Sequence, residues 1–118
     1  MTFSRLFSTG ILGLALTVVG LPAMATPEIA SGDRMLDTNL DGCLTRADTF
    51  VSTLDIQISR GEIDRTGYFD DGAFRILCYP NPYSVEESSM VVVFAAHDSD
   101  FDVATTFVQI ALEEMDAQ

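Results

Sequence analysis

A chain of 118 residues with 18 acidic and 6 basic side chains has a formal net charge of −12, which suits a single domain and opposes binding to a nucleic-acid backbone. Its 47% hydrophobic content separates it from acidic disordered tails, which bury too little apolar surface to fold. Nucleic acid is therefore excluded as a partner, and a small folded core is expected.

The first stretch, Met1 to Phe7, carries one positive charge at Arg5, and a mostly apolar run from Gly10 to Leu21 leads to Pro22-Ala23-Met24-Ala25. A charged start, a short apolar segment and small residues at an Ala-x-Ala site define a secretory signal peptide, with cleavage expected after Ala25. The apolar run is shorter than the roughly 20 residues a membrane-spanning helix needs. No integral membrane span is expected after cleavage, and the mature protein is placed in the periplasm or outside the cell. Residues 26–118 then carry five arginines, no lysine and all eighteen acids, a net charge of −13. Such a domain attracts cations or basic partners and repels anionic surfaces.

From Thr26 to about Met35 no period persists, so this segment is read as a flexible N-terminal arm with at most one helical turn. Farther on, Ala47, Phe50, Val51 and Leu54 recur at spacings of three and four, the repeat of one helical face. Thr45 with Asp48 resembles a capping box, which places the helix start near Arg46. Residues 55–59, Asp-Ile-Gln-Ile-Ser, fit either an extension of this helix or a short strand. Gly61 to Gly67 reads as an acidic connection and Asp70-Asp71-Gly72 as a turn. Ala73 to Tyr79 alternates, with Phe74, Ile76 and Cys78 on one face and Arg75 and Leu77 on the other, until Pro80 and Pro82 end the strand.

Met90 to Ala96 is the strongest strand, apolar enough to be covered in part on both faces. Ser99 with Asp102 forms a second capping signal, and Val103, Ala104, Phe107, Ile110, Ala111 and Met115 follow a helical period. The order implies an α+β fold: a small two-layer sandwich, with a mainly antiparallel sheet of two to three strands covered by two helices. Cys43 and Cys78 are expected to form one disulfide, because the compartment is oxidising and Cys-x-x-Cys spacing is absent. The loop it closes corresponds to roughly 4 kcal/mol of chain entropy.

Residues 37–48 read Asp37-Thr-Asn39-Leu-Asp41-Gly42-Cys43-Leu-Thr45-Arg-Ala-Asp48. This segment resembles the calcium loop of EF-hand proteins in its dockerin-like form, with aspartate in the last place. The resemblance implies calcium as the cofactor, held by Asp37, Asn39, Asp41, the Cys43 carbonyl, Thr45 through water, and Asp48. The same residues also fit a plain acidic turn followed by a helix cap. No other cofactor is expected.

His97 is the single imidazole, which excludes multi-histidine metal sites; beside Asp98 it admits a small hydrolase as a distant reading. No residue is assigned a catalytic role. Tyr68, Phe69, Tyr79 and Tyr83 cluster near predicted turns and form a candidate interaction surface. The leading expectation is a non-enzymatic secreted or periplasmic binding domain for a protein or small ligand, with a calcium-binding module as the alternative.

Overall fold

The computed structural model describes residues 26–118, so the expected signal peptide lies outside the described residues. In chain order the elements are β1 (Glu28–Leu36), α1 (Leu40–Ser52), β2 (Ile58–Arg60), β3 (Asp64–Phe69), β4 (Gly72–Pro80), β5 (Ser89–His97) and α2 (Phe101–Ala117). One antiparallel sheet holds five strands in the order β1-β5-β4-β3-β2, which corrects the expected two to three. The α+β class and the two helices stand. Of the ambiguous segment 55–59, Ile58 and Ser59 belong to strand β2, and β3 begins at Asp64 inside the expected connection from Gly61 to Gly67.

The two extra full strands are those with the weakest local signals. Residues 28–36, expected to be an arm, pair along their whole length with β5, from Glu28 opposite His97 to Leu36 opposite Ser89. Gly32 sits in this strand because α2 lies close over it: a Cβ there would stand 2.9 Å from Leu112 Cδ1 and 3.0 Å from Val108 Cγ1. In β3, Gly67 pairs with Phe74, whose ring occupies the space a side chain at Gly67 would fill. Both glycines cost backbone entropy in a strand and are retained where a packing partner needs the room.

α1 starts at Leu40, ahead of the expected Arg46, because Asn39 is the cap: its Oδ1 accepts from the Gly42 amide at 2.9 Å. Thr45 lies inside the helix, and its hydroxyl donates to the Asp41 carbonyl. α2 is capped by Asp100, not Ser99; Asp100 Oδ1 accepts from the amides of Asp102 and Val103. Its buried face is Ala104, Val108, Ala111, Leu112 and Met115, so Val103 and Ile110 of the expected face point to solvent.

Both helices cover the same side of the sheet, where Leu36, Ile76, Val91 and Val93 meet Ala47, Val51, Ala111 and Met115 in the core. The helices touch each other through Phe50 and Phe107, whose ring centroids are 6.0 Å apart, and Phe107 stacks on Phe74 at 4.7 Å. The Cys43–Cys78 disulfide, spanning a sequence separation of 35, ties the first turn of α1 to β4. The opposite side of the sheet carries no helix among the described residues. β5 is therefore interior to the sheet yet covered on one face: Val91 and Val93 are buried, while Phe94 on the other face is exposed.

Candidate interaction surface

Strand alternation decides which side chains stand on the uncovered face. The register arranges them in rows across the sheet. Ile29, Ala96, Ala73 and Tyr68 form one; Ser31, Phe94, Arg75 and Thr66 the next; Asp33, Val92, Leu77 and Asp64 a third; and Met35, Met90 and Tyr79 the last. Ile29, Met35, Tyr68, Tyr79 and Phe94 are all exposed, so large apolar side chains meet water on this face, with Ser31, Asp33, Asp64, Thr66 and Arg75 among them in its middle rows. Exposed apolar side chains gathered on one face and bordered by polar residues mark contact sites. A concavity of about 360 Å³ lies on it, between Ile29, Tyr68, Leu77 and Phe94, with Arg75 and Thr66 in its lining. Arg75 Nε donates to Thr66 Oγ1 at 2.8 Å and stands 3.7 Å from Asp64 Oδ2, which holds the guanidinium against the sheet.

The four aromatic residues expected to share a surface are divided by this geometry. Tyr68 and Tyr79 lie on the uncovered face, in its first and last rows. Phe69 points to the helix side, 5.9 Å from Phe74 and 6.1 Å from Phe107. Tyr83 is 93% exposed in the β4–β5 loop. That loop is fixed by Asn81, whose amide donates to Ser88 Oγ at 2.7 Å and contacts Met35 Sδ, while its Oδ1 accepts from the Tyr83 amide. Ile29, Met35, Met90 and Phe94 were not singled out in the sequence: the alternation places only Arg75 and Leu77 opposite the buried residues of β4, residues 28–35 read as an arm, and β5 reads as covered in part on both faces.

The six residues of the calcium-loop resemblance are not gathered around a point. Asp37 pairs with Arg46 Nη2 at 2.9 Å, Asn39 caps α1, and Asp41, Cys43, Thr45 and Asp48 are spaced along the helix. Cys43 is buried in its disulfide. Asp48 accepts from Arg65 through Nε at 2.6 Å and Nη2 at 3.3 Å, and from Arg60 Nε at 3.2 Å. The Arg65 hydrogen bond is the main reason that the Asp48 carboxyl lies below the ordinary aspartate range, with burial opposing it. Among the described residues no group of three or more His, Cys, Asp or Glu side chains is placed to hold a metal ion. The helix accounts for this: an EF-hand needs its ligands on a loop that wraps the cation, and here the backbone is already helical from Leu40.

His97 is likewise engaged. Its Nδ1 accepts from the amides of Ser99 and Asp100 at 3.1 and 2.9 Å, which assigns the proton to Nε2, and Nε2 donates to Asp71 Oδ2 at 3.2 Å. With both ring nitrogens occupied, the imidazole joins the β3–β4 turn to the start of α2. It borders a 260 Å³ cavity lined by Phe69, Phe74, Val103 and Phe107, a largely apolar space with no hydroxyl or thiol side chain in its lining.

No family model, curated protein or solved structure matches the chain. Among the described residues no helix is long and apolar enough to cross a membrane.

Proposed function

We propose that the protein is an exported, non-enzymatic interaction domain that recognises a partner through the uncovered face of its sheet. The observation that carries this reading is the sheet face that no covering layer among the described residues occupies, with the large apolar side chains of Ile29, Phe94, Tyr68 and Tyr79 exposed on it. The nine-residue strands β1, β4 and β5 each span about 30 Å, β3 about 20 Å and β2 about 10 Å; at about 4.8 Å of width per strand they make a face of roughly 600 Å², approaching the roughly 800 Å² each partner contributes to a standard specific interface. Tyr83 on the adjoining loop extends that area. The net charge of −13 on residues 26–118 favours a partner with apolar side chains at its centre and basic residues around them. Export is supported by the character of residues 1–25 and by the disulfide, which persists in oxidising compartments.

Site-specific photo-cross-linking in the exporting cell tests the reading. A photoreactive residue at Phe94 or at Tyr79 should yield the same adduct, whereas one at Thr49 or Gln109 on the helices should not. Adducts confined to the helix positions, or none from the sheet, would overturn it.

A further inference from the structure

β1 is an edge strand: it pairs with β5 on one side, and along its nine residues the other side has no neighbouring strand among the described residues. An edge of this length is a template for strand addition, and proteins that avoid such pairing use proline, a bulge, a very short strand or charged side chains. Between Glu28 and Leu36 there is no proline or bulge and the register with β5 is continuous; its charged residues are Glu28, Asp33 and Arg34, and Arg34 is paired with Asp116 of its own chain at 3.3 Å. A groove of about 440 Å³ runs beneath the edge, between Ile29 and Gly32 on β1 and Phe101, Thr105, Gln109 and Leu112 on α2. The Thr105 hydroxyl is buried there without a hydrogen-bond partner among the described residues.

We propose that the occupant of this edge is β1 of a second copy, paired antiparallel about a two-fold axis at Gly32, so that two five-stranded sheets join as one. Gly32 is the midpoint of Glu28–Leu36, so this register overlaps the entire strand. On the open face it sets Ile29 of one protomer opposite Met35 of the other, two side chains that are 65% and 57% exposed in the monomer. It sets Ser31 opposite Asp33, a hydroxyl beside a carboxylate. On the helix side, glycine faces glycine, and Arg34, which pairs with Asp116 in its own chain at 3.3 Å, lies diagonal to Glu28, a separation of about 7–8 Å that long side chains bridge. No like charges stand directly opposite, and the one diagonal like pair is Asp33 with Asp33, on the solvent face.

Shifting the axis to Asp33 would oppose two aspartates, and shifting it to Ser31 would set Ile29 against Asp33. The sequence of β1 therefore complements itself best in the register that also pairs most backbone, which is the requirement of an isologous interface. This pairing stands independently of what the sheet face binds, and it would make the two faces continuous.

The charge of each protomer opposes association at long range, and that repulsion is screened as the Debye length falls from about 30 Å at 0.01 M salt to about 8 Å at 0.15 M. Sedimentation of the disulfide-bonded protein should accordingly show a dimer whose dissociation constant decreases with added salt. The register is tested with Ile29→Cys and Met35→Cys. Opposed residues have Cα atoms about 4.5–5.5 Å apart, within disulfide range, whereas Ile29 lies about 20 Å from its own copy. Mixed under oxidising conditions, the two variants should form a covalent heterodimer, and each alone should stay uncross-linked. Both substitutions are at exposed positions, and circular dichroism checks the fold. A monomer at every concentration and salt, or cross-linking of Ile29→Cys to itself as readily as to Met35→Cys, would overturn the proposal.

Discussion

Asp48 on α1 and Arg65 on β3 form a two-point ion pair, Nε to Oδ1 at 2.6 Å and Nη2 to Oδ2 at 3.3 Å, that fastens the first helix to the β3 end of the sheet. Arg65 is itself buried and donates through Nη1 to the carbonyls of Gly61 and Asp64, so it fixes the β2–β3 turn as well. The geometry is that of a fork meeting a carboxylate.

Removing the carboxylate leaves Arg65 with a buried, unpaired guanidinium edge. Asp48→Ala should therefore lower stability by about 1–2 kcal/mol in urea denaturation at neutral pH, the modest figure reflecting a carboxylate that is 41% exposed and screened by solvent. Because the folded-state pKa is depressed below 3.8, the unfolded chain binds more protons near that pH. The pair's contribution is complete above the unfolded value and is lost as pH falls through the folded one. The stability gap between the protein and Asp48→Asn should accordingly close on acidification below about pH 4.

Joining α1 to β4 through Cys43 and Cys78 has a larger effect. Replacing both cysteines by serine should cost roughly 4 kcal/mol, measured as a shift of the denaturation midpoint, because the unfolded chain regains the freedom of the closed loop. Both positions are fully buried, so two hydroxyls placed there add to the loss. Mass analysis without reductant should show the linked peptide.

Gly67→Ala tests the packing reason for an irregular strand. The new methyl group would enter the space of the Phe74 ring, which also stacks against Phe107. A loss of about 1–3 kcal/mol is expected, with faster amide exchange along β3 and β4 as the local readout.

Calcium up to about 1 mM, the weak limit for extracellular modules, should leave the thermal midpoint unchanged. Asp37 and Asp48 are each held by arginine and residues 40–48 are helical, so binding would have to unwind the first turns of α1. A rise in midpoint with calcium but not with magnesium would contradict this arrangement.

The face of α1, part of the face of α2 and the positions of the two strongest strands were legible because periodicity is a local property of the chain. Ala47, Phe50 and Val51 are buried as spaced, and Phe74, Ile76 and Cys78 face the core. β1 and β3 were not legible, since Gly32 and Gly67 weaken strand propensity and their justification lies in Leu112, Val108 and Phe74, residues that local pattern does not connect to them. At residues 37–48 the spacing gave a loop resemblance, while in the structure Asn39 caps the helix in place of Thr45, the backbone is helical from Leu40, and Asp37 and Asp48 have arginine partners, an arrangement that weighs against a wrapped cation.

Residues alone determined the acidity, the α+β class and the buried faces of α1 and β4, because charge and period are carried by the residues themselves. Which cysteine pairs with which was also settled, there being only two. Tertiary structure decided the number of strands, the placement of both helices on one side, and hence that Ile29, Phe94 and Tyr79 remain open to solvent. The physical reason is that burial is a property of pairs of surfaces: a strand's alternation shows that it has an apolar face, and only the packing of the other layers shows whether that face is covered.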